Sequence, residues 1–331
     1  MIFTATKTVR PALWSKKIQD LSAHRKGNKI LNMPTSLSLE IPANFSFRHT
    51  VFSHGWSELR PFELDDKNWR LKYVFNTTKG KPVTAVIHEA GTGLRIDVSG
   101  TRFDSEKLLR DVRHILRLDD PLDDFYGLTD VDERLGWVSA SNAGRLLRSP
   151  TVFEDMIKTL CTTNCSWGLT RNMVTNIVEL LGEKSVDGAR AFPTPEALAS
   201  VSEKFYREEV RAGYRSPYFV EVAESVASNK IDPESWLATD LSTPELKKQI
   251  KSIKGFGDYA ADNLLKLLGR YDGLALDSWL RAQFYKKHNR ERACPDKKIE
   301  RHYKKFGEWK GLAIWCDMTE RWFDEKLMNQ D

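Results

Sequence analysis

Hydrophobic and polar residues alternate along much of the N-terminal third of the chain. Leu37, Leu39 and Ile41 are separated by polar residues. The same period of two recurs in three later segments, 69–75, 83–88 and 94–99, and the last two flank an Ala-Gly-Thr-Gly sequence that is typical of a hairpin turn. Because a period of two places one apolar face on a core, we predict a half-buried antiparallel sheet.

From about residue 104 the apolar residues change to helical spacing, as in Leu108, Val112 and Ile115. Proline-containing capping signals at Ser149-Pro150, Thr194-Pro195 and Thr243-Pro244 predict helix starts further along the chain. We therefore predict an α+β fold, with a small N-terminal antiparallel sheet domain packed on an α-helical body. The expected division is a basic tail at 1–33, a β-rich domain at 34–105 and a helical body at 106–326.

Composition narrows the classes of protein that fit. The chain has 331 residues and a net charge of +5, which permits a polyanionic partner without requiring one. It contains no run of 18 apolar residues, so we expect no membrane-spanning helix. The four cysteines and seven histidines show no zinc, iron–sulfur or HExxH spacing, so we expect no catalytic metal and read the cysteines as free thiols.

Two short amphipathic helices, at about 244–252 and 258–268, are predicted to be joined by a glycine-rich turn. Gly255 and Gly257 let the backbone come close to a partner, and the N-terminus of the second helix attracts anions. Lys254 adds a positive charge to the turn. A DNA phosphate is a natural ligand for such a hairpin. A plain corner between two helices, closed by a glycine C-cap, is the alternative interpretation.

Asp277 follows this hairpin and precedes another amphipathic stretch. An aspartate at a helix start is most often an N-cap. A carboxylate close to a phosphate-binding hairpin has a second use, because it can stabilise a cationic sugar or orient an attacking water molecule.

Several segments together resemble the helix-hairpin-helix DNA glycosylases, over roughly residues 35–325. The sequence GFGDYAAD followed by LALDSW is similar to the hairpin and catalytic aspartate of that family. The other similar segments are Phe45-Ser46-Phe47-Arg48, the linker 113–126, Gly213-Tyr214-Arg215 and FGEWKGLAIWC at 306–316. The 8-oxoguanine DNA glycosylases and the 3-methyladenine DNA glycosylases II are the branches that the chain resembles most.

The resemblance assigns roles to individual residues. Asp277 would be the catalytic aspartate, and the hairpin residues Lys254, Gly255, Phe256 and Gly257 would bind the DNA backbone, with hairpin carbonyls that could hold a structural monovalent cation. Asn164 would fill the gap left by an extruded nucleotide, Tyr214 would be the wedge, and Arg215 would contact the estranged base. The alternatives are a helix-initiating asparagine, a core tyrosine and a solvated arginine.

Departures from the family pattern bear on mechanism. Bifunctional relatives carry a lysine two residues beyond the second hairpin glycine, where this chain has Tyr259, and a phenol cannot form a Schiff base. Lys254 and Lys266 are the other amines, but Lys254 should face phosphate and Lys266 lies two helical turns further on. We therefore predict a monofunctional enzyme that uses water as the nucleophile.

The resemblance also implies a base pocket. Its expected members are Tyr259, Ser278, Asn44 in place of a glycine, Ile314 in place of a glutamine, and Met318. Loss of the glutamine amide and gain of Tyr259 favour alkylated, cationic purines, which would stack by cation–π contact, with Trp137, Trp167 or Trp315 as helpers.

The sequence thus predicts a monofunctional DNA glycosylase of base excision repair that acts on damaged, alkylated purines. Two alternatives stay open: a bifunctional 8-oxoguanine-type glycosylase/AP lyase, and a non-catalytic DNA-binding protein. We expect double-stranded DNA with damaged bases as the partner, no membrane, no cofactor beyond the hairpin cation, and a monomer. The compartment would be the bacterial cytoplasm (nucleoid) or the eukaryotic nucleus. The basic stretch 286–310 could follow a DNA strand or form a solvated surface.

Overall fold

The computed structural model describes residues 35–78, 80–100 and 102–327. The predicted basic tail at 1–33 lies outside the described residues. None of the helices in these ranges combines the length and the apolar character that crossing a bilayer requires.

The N-terminal part is a five-stranded antiparallel sheet with the strand order β1-β5-β4-β3-β2. Its strands are β1 (Thr35–Glu40), β2 (Glu63–Asp65), β3 (Arg70–Phe75), β4 (Val83–Ala90) and β5 (Gly93–Ser99). The predicted alternation is present: Leu94, Ile96 and Val98 are buried, whereas Arg95 between them is exposed. The α+β prediction is confirmed.

Most of the remaining regular structure is helical. The α-helices are α1 (Phe47–Val51), α2 (Ser105–Ile115), α3 (Asp123–Asp130), α4 (Gly136–Ala140), α5 (Val152–Thr162), α6 (Trp167–Leu181), α7 (Pro195–Ala199), α8 (Glu203–Glu208), α9 (Ser216–Ala227), α10 (Thr243–Lys251), α11 (Asp258–Leu267), α12 (Ser278–His288), α13 (Asp296–Tyr303) and α14 (Lys310–Leu327). Since β5 ends at Ser99 and α2 begins at Ser105, the change of period seen in the sequence coincides with the end of the sheet.

Side-chain caps explain where several helices begin. Thr194 caps α7 as predicted, and Ser242 forms a capping box with Glu245 at the start of α10. The start predicted at Ser149-Pro150 is wrong. There, Thr151 is the N-cap and accepts the backbone N–H of Glu154 at 3.2 Å, so α5 begins at Val152.

Two apolar clusters make up the core. The first joins the sheet to several helices and includes α11 residues such as Leu264. The second collects α3, α4 and the C-terminal helices around Leu280 and Phe284 of α12. The end of α11 and the start of α12 therefore lie where the two clusters meet, and this is the part of the fold that carries the predicted site.

Buried polar contacts fix helix α5 to the sheet. Tyr73 donates its hydroxyl to Glu154 at 2.6 Å, and Glu154 pairs with the fully buried Lys158 at 2.7 Å. Trp56 donates to Asp155 at 2.7 Å. Because these groups pair with one another inside the protein, they hold α5 in one position against the sheet.

Arginine side chains fix the C-terminal end of helix α11. The buried guanidinium of Arg117 donates to the carbonyls of Lys266, at 2.8 Å, and of Leu267. Arg148 donates to the Leu267 carbonyl as well, at 3.3 Å. These cations occupy the C-terminal carbonyls of α11 and complement the negative end of its dipole.

Candidate active site

Helices α10 and α11 form the predicted hairpin, with bounds within one residue of those expected. Gly255 has a φ of +92°, and a Cβ there would lie 2.8 Å from Leu160 and 3.0 Å from the ring of Tyr218. Phe256 is buried in the first core cluster. Gly257, at the start of α11, would have nothing within 4 Å of an added Cβ. The inner side of the turn is thus tightly packed, and its outer side is open to a ligand.

Charged side chains surround the hairpin. Lys254 is exposed and pairs with Glu221 of α9 at 2.9 Å. Lys251 pairs with Asp258 at 2.8 Å, and both groups face solvent. Exposed pairs of this kind contribute little to stability, so an arriving phosphate can replace Glu221 as the partner of Lys254.

Asp277 is the N-cap of α12. Its Oδ1 accepts the backbone N–H of Leu280 at 2.7 Å. Within the part of the chain that the structure describes, Oδ2 has no hydrogen-bond donor, and the side chain is half-buried. Asp277 is therefore an N-cap, as the simpler interpretation expected. Because the cap uses only one oxygen, the other can face a substrate.

Tyr259 lies in the first turn of α11, close to Asp277. Its hydroxyl lies beside the side chain of Thr162 at the end of α5. Burial raises the pKa of Tyr259, and the charge of Asp277 raises it further. The structure thus brings together Tyr259, Asp277 and the end of α5, and it keeps the phenol neutral near pH 7.

The three residues expected to occupy a DNA gap also lie together. Asn164, in the loop after α5, is exposed with a φ of +45°, and its amide donates to the Tyr214 hydroxyl at 3.3 Å. Tyr214 is 49% exposed. Arg215, in contrast, is buried beneath them and donates to Thr163 at 3.0 Å. Asn164 and Tyr214 can therefore reach a ligand, whereas Arg215 supports the Asn164 loop from inside.

The geometry of hairpin, aspartate and wedge can be compared with known proteins. No protein-family model matches the chain. A curated "Probable N-glycosylase/DNA lyase" of Methanothermobacter thermautotrophicus is 25% identical over 205 residues, covering 53% of this chain. The chain covers 63% of that relative, less than two thirds of its length.

Two solved structures align over most of the chain. The 3-methyladenine DNA glycosylase of Archaeoglobus fulgidus aligns with a TM-score of 0.67 at 20% identity, over 87% of this chain and 99% of its own. The 8-oxoguanine glycosylase/lyase of Clostridium acetobutylicum, in complex with double-stranded DNA, aligns with a TM-score of 0.66 at 18% identity, over 89% of this chain and 100% of its own. The chain has the helix-hairpin-helix DNA glycosylase fold.

Other residues assigned to a base pocket are dispersed in this glycosylase fold. Asn44 donates to Asp123 at 3.0 Å and accepts from Arg145 at 3.1 Å, so both ends of its amide are engaged. Ile314 is fully buried in the second core cluster, and Met318 is 7% exposed in the same cluster. Ser278 is exposed in the first turn of α12, beside Asp277. The membership of Asn44, Ile314, Met318 and Ser278 in the base pocket stays a prediction.

An aromatic group that the sequence did not single out lies next to Asp277. Trp279 is two residues beyond it, 6.0 Å from the ring of Trp315 and 5.1 Å from that of Trp322. All three indoles are half-buried. Of the predicted aromatic helpers only Trp315 belongs to this group, since Trp167 donates to Glu58 and Trp137 packs on Phe323. Trp279 is at least 36 positions from Trp315 and Trp322, so their contact depends on the tertiary fold.

The basic stretch 286–310 is partly structural. Lys287 pairs with the buried Asp317 at 2.8 Å, and His288 contacts the same carboxylate at 2.7 Å. His302 completes a set that could ligate a metal, but Arg134 donates to its Nε2. Because two cations already contact this group, we interpret it as a charge network rather than a metal site.

Proposed function

We propose that the chain is a DNA glycosylase of base excision repair that removes a damaged base from double-stranded DNA through Asp277. The observation that carries this proposal is the capping geometry of Asp277, which uses one carboxylate oxygen and leaves the other without a donor among the described residues, two positions before the half-buried Trp279. The glycosylase fold and the similarity to a probable N-glycosylase/DNA lyase support it.

The hairpin would hold the DNA backbone. The free N–H groups at the start of α11 and the exposed Lys254 suit a phosphate, and such contacts fix the position of a duplex without reading its sequence. Asn164 and Tyr214 would enter the duplex at the extruded nucleotide. A monovalent cation held by hairpin carbonyls stays part of the proposal.

The chemistry would be carried by the charge of Asp277. As the base leaves C1′, positive charge develops on the sugar, and a carboxylate fixed by the Leu280 N–H can stabilise it without reorganising. Loss of one such preorganised group typically costs about 10² to 10³ in rate. Asp277 would also orient the water that completes hydrolysis.

Water is proposed as the nucleophile because no amine lies where the bifunctional relatives have theirs. Tyr259 occupies that position, and Lys254 is paired with Glu221 on the surface. Incubation with abasic-site DNA and borohydride tests this directly, because only an imine gives a covalent protein–DNA adduct. A trapped adduct would contradict the water mechanism.

The activity itself is tested with duplexes that each carry one lesion: an alkylated, deaminated or oxidised purine. We expect release of free base and an intact abasic strand from at least one duplex. Tight binding to abasic DNA with no release from any duplex would favour a non-catalytic DNA-binding protein instead.

A further inference from the structure

Lys266 carries a buried amine that the proposed reaction does not use. It lies in the last turn of α11 and is 3% exposed. Its Nζ has no hydrogen-bond partner, and no carboxylate oxygen within 4.0 Å, among residues 35–78, 80–100 and 102–327. A buried amine without an acceptor is costly, whereas a methionine of similar length would fit without that cost. Among the described residues, the N–H donors of this amine are therefore left free for an acceptor on a bound ligand.

The amine points toward the aromatic group beside Asp277. Its Nζ lies 5.3 Å from the ring centroid of Trp315, which in turn contacts Trp279 and Trp322. Lys266 is also seven residues beyond Tyr259, so both side chains lie on the same face of α11, about 10 Å apart along the axis. The half-buried indoles thus form a series of contacts from Trp279, two residues beyond Asp277, to the amine of Lys266.

The charge state of Lys266 restricts what can bind there. Burial lowers the pKa of Lys266 to about 8, and the charge of Asp277 opposes that change. At neutral pH the group is therefore mostly an ammonium, which donates hydrogen bonds and accepts none. A neutral purine with a ring carbonyl offers the missing acceptor. A cationic alkylpurine would face a like charge in a site of low dielectric.

We propose that Lys266 is a specificity-determining residue, whose ammonium donates a hydrogen bond to the carbonyl oxygen of an extruded neutral purine and excludes cationic alkylpurines. This inference rests on the proposed function. It replaces the alkylated purine expected from the sequence with a neutral, carbonyl-bearing base. It also assigns the amine to the base rather than to C1′, because Nζ lies over the Trp315 ring, 5.3 Å from its centroid, and forms no hydrogen bond with Asp277.

The test compares the wild-type protein with Lys266→Met, which removes the amine and keeps the length of the side chain. Lys204→Met, at an exposed lysine on α8, is the matched control. Single-turnover rates are measured on duplexes with 8-oxoguanine or hypoxanthine, which are neutral and carry a carbonyl, with ethenoadenine, which is neutral without one, and with cationic 7-methylguanine. Thermal unfolding checks that each variant is folded.

We expect Lys266→Met to lower the rate at least tenfold on the two bases that are both neutral and carbonyl-bearing, 8-oxoguanine and hypoxanthine. The rates on ethenoadenine and on cationic 7-methylguanine should stay the same or rise. The control should match the wild type on all four duplexes. If the relative rates on the four duplexes are the same in Lys266→Met and the wild type, this inference is overturned while the proposed function stands. A borohydride adduct that Lys266→Met abolishes would also overturn it, by assigning the amine to C1′. No release from any duplex by the wild type would remove the proposed function and this inference with it.

Discussion

Substitutions at the two hairpin glycines should affect stability and DNA binding separately. Gly255 has a φ of +92° and is packed against Leu160 and Tyr218, whereas Gly257 has an ordinary φ of −78° and open space around it. Gly255→Ala adds a Cβ in a conformation that costs an L residue about 1–2 kcal/mol, and crowding of the two neighbours adds about 1–3 kcal/mol. We therefore expect a loss of about 2–5 kcal/mol in the free energy of unfolding.

Gly257→Ser is the matched change. Serine is a good N-cap, so the free energy of unfolding should stay within about 0.5 kcal/mol of the wild type. Its side chain would nevertheless occupy the space where a phosphate approaches the N–H groups of α11. Losing one charge-assisted contact should weaken binding to an abasic-analogue duplex about tenfold or more, and should reduce the salt dependence by about one phosphate.

Urea denaturation gives the stabilities, and fluorescence anisotropy at 50 and 200 mM salt gives the affinities and their salt dependence. Gly257→Ser with wild-type affinity at both salt concentrations would show that the outer face of the hairpin does not bind the backbone. A fully stable Gly255→Ala would show that the inner packing is not as tight as the distances indicate.

Two further changes test other parts of the site. Asn164→Ala removes the exposed amide beside Tyr214. We expect fluorescence anisotropy to show weaker binding to an abasic-analogue duplex and unchanged binding to an undamaged duplex. Equal weakening on both duplexes would refute a gap-filling role for Asn164. For Asp317, burial would raise the pKa, but hydrogen bonds from His288, Lys287 and Tyr303 outweigh it and lower the pKa to about 2. The stabilisation by the Asp317 carboxylate is therefore present above pH 4 and is lost as the pH falls through about 2. Asp317→Asn should lower the free energy of unfolding by about 2 kcal/mol at pH 7 and should flatten its dependence on pH in acid, as measured by denaturation at each pH. An unchanged pH dependence would contradict the charge network.

Local patterns predicted the local structure well. The alternation in 94–99 and the hairpin turn before it correspond to β4, β5 and their antiparallel pairing. The glycine-rich turn and its two helices appear within one residue of the expected bounds. Such features depend on residues close in sequence, so their signals are complete in a short window.

Features that depend on distant residues were harder to predict. Nothing in the sequence of its own helix indicates that Lys266 is buried, and its contact with Trp315 of α14 depends on the tertiary fold. Arg215 likewise reads as a solvated or DNA-contacting residue, but the loop after α5 covers it. The helix start at Ser149-Pro150 was misplaced because Thr151, the residue that caps α5, follows the proline.

The central claim is that the charge of Asp277, and not only its N-cap hydrogen bond, removes the base. Asp277→Asn keeps an oxygen that can accept the Leu280 N–H, whereas Asp277→Ala loses the cap and about 1 kcal/mol of stability. The decisive measurement is the single-turnover rate of base release by Asp277→Asn on the best duplex, at saturating enzyme. We expect wild-type stability and DNA affinity with a rate lowered about 100-fold or more. A rate equal to that of the wild type would contradict the account.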